Sequence, residues 1–273
     1  GDNDSTVNIE TLQRALDQTM QSHNTTPNAE IGGFTPDQLL ALQRHPLGTP
    51  GCPLTFSDQL TAPQLKSAKL FQQMRLFLLA VRDSGGIRAT AAGNLPRTFV
   101  NQMVDQLLDA DEQKAVWKYN KVLNESDFFT LHEARVVCEQ TGLIGLTKGQ
   151  YTLRKKALPL LEADAAGKLY HALFTGFFLN YNIGYRLHRG VDLDWLQSEI
   201  GYVLKPLQLY GKKWLPAQKL ATTLLHPMTL ERVNAAISQI SYTSANNELE
   251  SFLLKPLEQW GLLEVQRQQK KYW

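Results

Sequence analysis

The chain has 273 residues, of which 43% are hydrophobic and 20% are charged, and its formal net charge is +2 at pH 7. These proportions are typical of a globular protein that buries one large core or two modest ones. No apolar run approaches the roughly 20 residues of a membrane-spanning helix, so we expect no membrane partner. The polar N-terminus lacks a signal-peptide pattern, and Cys52 and Cys138 are the only cysteines. Together these features predict a cytoplasmic location.

Residues 1–66 are a polar N-terminal segment with a net charge of −4, for which the sequence predicts only short helices. Leu12, Leu16 and Met20 share one face of the first helix. Thr35, which is followed by a proline, is the predicted cap of the second helix.

The first long helix is predicted over residues 67–84, and the two glycines that follow can end it with positive φ angles. Residues 87–90 then predict a short strand. Gly93 and Asn94 turn the chain into a second helix that begins at Pro96, because a first helical turn tolerates a missing N–H. Four residues at four-residue spacing give this helix one apolar face: Leu95, Phe99, Met103 and Leu107.

Residues 109–126 are predicted as an insert that begins with a solvated acidic segment. Within it, Trp117 and Tyr119 are expected to pack against the rest of the domain because large aromatic side chains favour burial. Ser126 or Asp127 is the predicted cap of the next helix.

That helix, the third of the domain, is predicted to end at Gly142. Two strands follow at 143–147 and 151–155, joined by a turn that contains glycine. The sequence therefore predicts a β-hairpin after the third helix.

Helix, short strand, helix, insert, helix and hairpin is the element order of a winged-helix domain, predicted here over residues 67–160. Residues 161–211 are predicted to form a helical connector. Its aromatic-rich helix, predicted over 162–181, is interpreted as a buried core helix in preference to a ligand pocket. A Leu-Lys-Pro-Leu sequence at 204–207 recurs at 254–257, and a glycine follows each copy. This repeat predicts a second winged-helix-like unit at 212–273. The predicted fold class is mainly α with short β-hairpins, in which the connector joins the two winged-helix-like units.

Several separated segments resemble a group of bacterial proteins that is classed with the plasmid open-reading-frame-three-like family. The most specific of them is the Ala-Thr-x-x-Gly-Asn-Leu-Pro-Arg run at 89–97. The resemblance brings no activity, cofactor or catalytic residue. A broader resemblance, to the winged-helix superfamily, implies nucleic-acid binding often and protein–protein contact in a sizeable minority. The segments that carry the first resemblance are 33–39, 46–47, 60–61, 87–97, 255–257 and 261–262.

Motifs of enzyme chemistry are missing from the sequence. The six histidines are dispersed, and His132-Glu133 is not followed by a histidine at the spacing of a zinc protease. Phosphate-binding glycine loops and nucleophile elbows are absent too. Asp192 and Asp194 are interpreted as a helix-capping pair. We therefore expect no metal and no cofactor, and the sequence leans against an enzyme.

The case for nucleic acid rests on basic residues near the two hairpins and on the third helices. The candidate phosphate contacts are Lys148, Arg154, Lys155, Lys156, Arg267, Lys270 and Lys271. Base readout would fall to the third helix of each unit, with candidate surface residues Thr130, His132, Arg135, Asn246 and Asn247. Carboxylates such as Glu133 and Glu139 accompany these residues and would repel phosphates.

The sequence thus predicts a non-enzymatic winged-helix interaction module that acts on a protein partner. The alternative is a winged-helix regulatory protein that binds nucleic acid with weak sequence specificity. Exposure and charge of the third-helix surface distinguish these two functions, whereas a buried polar cluster in a deep pocket would favour a small-ligand module.

Overall fold

The structure is a computed structural model that describes residues 9–186, 193–238 and 243–266. Helices make up 63% of it and strands 4%, so the predicted class, mainly α with short β-structure, is confirmed. The described helices and strands are, in chain order, α1 Ile9–Thr25, α2 Pro36–Arg44, α3 Lys69–Asp83, β1 Ile87–Arg88, α4 Arg97–Leu107, α5 Ala110–Tyr119, α6 Phe129–Gln140, β2 Ile144–Thr147, β3 Gln150–Leu153, α7 Ala166–Thr175, α8 Ile200–Tyr210, α9 Ala217–Leu224, α10 Pro227–Ile237, α11 Ala245–Leu249 and α12 Lys255–Gln259.

Two compact units divide the chain, and each combines separate stretches of sequence. The first contains Gly1–Thr55 and Glu199–Asn246, and the second contains Phe56–Ser198 and Asn247–Trp273. The segment predicted as one C-terminal unit, 212–273, is therefore shared between them. Its expected hairpin lies partly outside the described residues, and 263–266 are irregular.

The first unit is built on α1, α2 and α8 to α10. As predicted, Thr35 caps α2: its hydroxyl accepts a hydrogen bond from the Gln38 backbone, while the Gln38 side chain accepts one from the Thr35 backbone. Phe34 is buried beside Tyr202 of α8, with ring centroids 5.8 Å apart. The helix α1 does not follow this pattern of burial. Its predicted apolar face, formed by Leu12, Leu16 and Met20, is exposed.

The core of the second unit forms around α3, which contacts α4, α6, α7 and β3. Its apolar face is buried, and Phe71, Met74, Phe77 and Leu78 have essentially no exposed surface. The aromatic segment that follows the hairpin is buried as well, which confirms its interpretation as a core segment. There, Trp260 packs edge-on against Tyr170, whose hydroxyl donates to the Trp260 carbonyl oxygen at 2.8 Å.

A three-stranded antiparallel sheet has the order β1-β3-β2. Tyr151 of β3 pairs with Ile87 on one side and with Leu146 on the other. The hairpin turns at Lys148 and Gly149, whose φ angles of 52° and 75° suit a two-residue turn of the I′ kind. The strand β3 ends at Leu153, two residues earlier than predicted, because a 3₁₀ segment begins at Lys155.

The predicted apolar face of α4 is confirmed, since Leu95, Phe99, Met103 and Leu107 are all buried. The insert that follows is a helix, α5, and the expected solvated segment is its N-terminus. Asp109 accepts hydrogen bonds from the backbone of Asp111 and Glu112, and Glu112 accepts one from the backbone of Asp109. This capping box starts the helix.

Two details of the insert were wrong in the sequence-based interpretation. Tyr119 does not pack into the domain, since it is 76% exposed, whereas Trp117 is 37% exposed and is mostly covered. The cap before α6 is also different, because Asn124 and Asp127 bond to each other around a short 3₁₀ turn and α6 begins two residues later.

The burial of Phe99 leads to a stability prediction. Replacing Phe99 by Ala should lower the free energy of unfolding by about 3–5 kcal/mol, because the lost apolar contacts leave a cavity beside Phe77. The adjacent exposed residue provides the control, and Thr98→Ala should change stability by less than about 0.5 kcal/mol. Chemical denaturation of both variants measures the difference; equal midpoints would contradict the assigned helix register.

Candidate functional site

A buried carboxylate, Glu125, joins the loop before α4 to the helix α6. Its side chain is fully buried, and the residue lies near the end of the insert, after α5. It accepts hydrogen bonds from the Leu95 backbone at 2.6 Å and from Arg135 Nε at 2.5 Å, and His132 Nδ1 lies 2.9 Å from it. The loop and the third helix are therefore held through one ionised group.

Arg135 extends this network to the sheet. Its Nη1 donates to the Tyr151 hydroxyl at 3.1 Å and to Glu139 Oε2 at 2.9 Å, and its guanidinium lies over the Tyr151 ring. The Tyr151 hydroxyl in turn donates to the Gly93 carbonyl oxygen at 2.7 Å. The glycine turn at 93 is thus fixed to β3 and α6 together.

The network holds the Glu125 carboxylate in its charged form. Burial alone would raise the pKa of Glu125, but hydrogen bonds from His132, Leu95 and Arg135, and the charge of Arg135, outweigh it. The pKa of Glu125 therefore lies below its ordinary value of 4.5.

A second buried carboxylate, Glu133, lies on α6, and its pKa is shifted in the opposite direction to that of Glu125. Burial raises the pKa of Glu133, and the nearby Arg186 and Tyr181 compensate only in part. Glu133 Oε1 lies 2.8 Å from Arg186 Nε. Arg186 Nη2 also donates to Glu133 Oε2 at 3.2 Å and to Gln259 Oε1 at 2.7 Å. The segment at 183–186 and the helix α12 thus meet on α6.

These contacts determine which residues of the predicted third-helix surface, on α6, are accessible to a partner. Arg135 is 9% exposed and bonded inside the domain, so its prediction as an outward residue is wrong. Glu133 is buried too. His132 is partly exposed and lies against Glu125, and Thr130 is partly exposed beside the cleft described next. The part of the expected reading face that carries Glu133 and Arg135 is therefore covered by the second unit itself.

A polar cleft of about 360 Å³ opens where α3, α5, α6 and α12 meet in the second unit. Buried Gln73 and Glu133 line it together with Arg186. At its edge Lys69 forms an ion pair with Glu112. The other residues along the cleft are Leu70, Leu108, Phe129, Thr130, Ser251, Lys255 and Gln259.

The first hairpin carries the predicted phosphate contacts on its outside. Lys148, Arg154, Lys155 and Lys156 are all exposed. Lys156 Nζ donates to the Thr141 carbonyl oxygen at 2.7 Å, which directs it toward the end of α6. The Arg154 guanidinium lies over Gly145, where a larger residue would collide with it.

The structure does not describe the phosphate contacts predicted for the second hairpin. Arg267, Lys270 and Lys271 lie outside the described residues. Asn246 and Asn247 are partly exposed and exposed, respectively, and the boundary between the two compact units falls between them.

Comparison with known proteins gives one family. Residues 66–166 match the model of the Y4jL N-terminal domain family, a range that runs from just before α3 to the first residue of α7. It includes the sheet, the Glu125 network and the hairpin, but not Arg186 or α12. Neither a curated protein nor a solved structure matches the chain.

The described residues contain neither a cluster of metal ligands nor a membrane-spanning helix. Among residues 9–186, 193–238 and 243–266, no three His, Cys, Asp or Glu side chains come together as metal ligands would. None of the helices described has the length and hydrophobicity needed to cross a bilayer.

The lowered pKa of Glu125 predicts a pH dependence of stability. A carboxylate with a lower pKa in the folded state stabilises the fold above its ordinary pKa, and this contribution is lost as the pH falls below about 4.5. Glu125→Gln should therefore cost about 3 kcal/mol near neutral pH, because Arg135 loses its buried carboxylate partner and keeps only the partly exposed Glu139. This cost should shrink as the pH falls. Urea denaturation of the wild type and this variant from pH 7 to pH 3, with exposed Glu162→Gln as the control, measures the change. A cost that does not vary with pH would contradict a charged Glu125.

Proposed function

We propose that the second unit is a non-enzymatic, winged-helix-like interaction module that binds a protein partner through the C-terminal end of α5. Three large apolar side chains within six residues carry this proposal, because each keeps surface accessible to a partner. Trp117, Tyr119 and Val122 are 37%, 76% and 52% exposed, respectively. An isolated exposed apolar residue needs no explanation, and the occurrence of three in one short stretch is the reason for proposing a binding surface here.

The chemistry of this cluster fits a protein partner. Tryptophan and tyrosine are the residues that most often dominate the energetics of protein interfaces, since each combines a large apolar surface with one hydrogen-bonding group. Lys118 lies 5.1 Å from the centroid of the Tyr119 ring and adds one positive charge beside it. The partner that suits this surface has an apolar groove bordered by hydrogen-bond acceptors and a carboxylate.

The winged-helix-like character is supported by the order of elements in the second unit. Helix α3, strand β1, helices α4 to α6 and the β2–β3 hairpin follow one another, and β3 is the central strand. In this arrangement α5 is an addition between the two helices that a tight turn would normally join. The proposal gives this addition a role, since it places the exposed aromatic residues at the edge of the module.

The covered face of α6 favours a protein partner over base readout. A third helix that reads bases must enter the major groove with its side chains free. Here Glu133 and Arg135 are buried, and Arg186 and Gln259 occupy the space beside Glu133. Sequence-specific DNA recognition by α6 would require these contacts to break.

A photo-crosslinking experiment tests the protein-partner proposal. A photoreactive amino acid in place of Tyr119 should form a crosslink to one defined protein in cells, because this side chain contacts the partner. The same amino acid in place of Leu158, which is also exposed, provides the control and should not capture that protein.

The captured protein is then purified, and its affinity for the Trp117→Ser/Tyr119→Ser double variant is measured. The affinity should fall by at least about 2 kcal/mol, because two interface aromatics are removed. Equal affinity for the wild type and the double variant, or the same captured proteins at both positions, would contradict the proposal.

A second candidate function, nucleic-acid backbone binding, is favoured by the distribution of charge around the hairpin. Residues 84–104 and 143–161 contain six basic residues and no acidic one. Four of the six are the exposed Lys148, Arg154, Lys155 and Lys156. Contacts of this kind would bind phosphates without reading sequence.

A titration with random-sequence duplex DNA tests this second candidate. Changing Arg154, Lys155 and Lys156 together to Ala should weaken binding and flatten its salt dependence, because each lost phosphate contact removes roughly 0.9 from the log–log slope. The matched control changes three other exposed basic residues, Lys114, Lys118 and Lys121, to Ala. Equal binding by all three proteins would remove the hairpin from consideration, and no binding by the wild type near physiological salt would reject the second candidate.

A further inference from the structure

The cleft between α3, α6 and α12 contains more cationic groups than the chain itself neutralises. Of its three basic residues, Lys69 pairs with Glu112 and Arg186 pairs with Glu133. Lys255 is exposed at the cleft, and its side chain forms no ion pair or hydrogen bond with the described residues. The cleft therefore has one positive charge available for a ligand.

Two hydroxyl groups lie along the same cleft without a hydrogen-bond partner in the described part of the chain. They belong to Thr130, on α6, and Ser251, four residues before Lys255. Ser251 and Lys255 belong to one continuous helical segment, and both line the cleft. Two hydroxyls and an ammonium group are donors that suit one anionic group.

The backbone that carries Ser251 and Lys255 is unusual in its geometry. Residues Glu250–Leu254 form a π-helical turn immediately before α12. Pro256 has no N–H to donate and would crowd the carbonyl four residues earlier, so a widened turn at this point relieves the clash. Such π-turns occur frequently at functional sites, which agrees with a ligand here.

Apolar surface borders the polar groups. Phe129 is 38% exposed at the cleft, and Leu108 and Leu70 lie beside it. The volume of about 360 Å³ is in the range of small-molecule sites. A ligand that enters this mainly polar cleft would place its charge near Lys255 and a small apolar group, such as one ring, against Phe129.

From these contacts we infer that the cleft binds a carboxylic acid with an apolar body, whose carboxylate is held by Lys255, Ser251 and Thr130. A monoanion matches the single unpaired charge, whereas a phosphate dianion would exceed it. The carboxylate belongs either to a free acid or to the C-terminus of a peptide. This site is separate from the α5 surface and does not depend on the protein-partner proposal.

Paired probes test the inference on the full-length chain. The probes are 3-phenylpropionate with its primary amide, and N-acetylphenylalanine with its primary amide. In each pair only the charge differs. Calorimetry gives the affinities, and NMR shifts of the Thr130 and Ser251 amides show whether a probe enters the cleft. At least one acid should bind with a dissociation constant of about 1 mM or below, and its amide should bind at least about tenfold more weakly because a charge-assisted hydrogen bond is lost.

Two variants then test whether Lys255 provides the positive charge that binds the acid. Lys255→Met keeps the apolar stem and should weaken binding of the acid at least about tenfold, whereas Lys168→Met, at an exposed site on α7, should not change it. Tighter binding of N-acetylphenylalanine identifies a peptide C-terminus, and tighter binding of 3-phenylpropionate a free acid. The inference is overturned if acids and amides bind equally, if Lys255→Met binds as the wild type does, or if no acid shifts the cleft amides.

Discussion

The arrangement of the second unit depends on one buried charge, the carboxylate of Glu125. A carboxylate removed from water is stable only when donors surround it, and here the donors come from the Leu95 backbone, His132 and Arg135. The loop that precedes α4 and the helix α6 must therefore keep one relative position. Through Arg135 the same constraint reaches Tyr151, so that helix and sheet share one network.

The helix α6 is consequently held by its own chain on more than one side, and this determines what remains for function. Glu125 and Arg135 join it to the loop and the sheet, while Glu133 joins it to Arg186, which also donates to Gln259. The groups left free are at the periphery: the aromatic end of α5, the basic hairpin and the cleft beside Lys255. Each offers a different chemistry, and the three proposed binding modes can therefore be tested independently by substituting exposed residues.

Local patterns allowed the main elements to be predicted from the sequence. The four-residue spacing of apolar side chains gave the α4 face that includes Phe99, and the Lys148-Gly149 pair gave the hairpin turn. The helix α5 was missed because its capping box at Asp109 was interpreted as a solvated acidic segment. The burial of Arg135 could not be predicted, since α6 is buried around most of its circumference and shows no clear polar face. Arg186 meets residues 53 and 73 positions away, and no local pattern encodes such contacts.

The central claim is that the chain itself covers the α6 surface that would otherwise read bases. A double-mutant cycle on Glu133→Gln and Arg186→Gln tests it most directly, because the cycle isolates the interaction between these two side chains. The account predicts a coupling of at least about 1 kcal/mol in the free energy of unfolding, as expected for residues in one buried polar network. Additive effects, within about 0.3 kcal/mol, would show that Arg186 does not hold α6 and would contradict the claim.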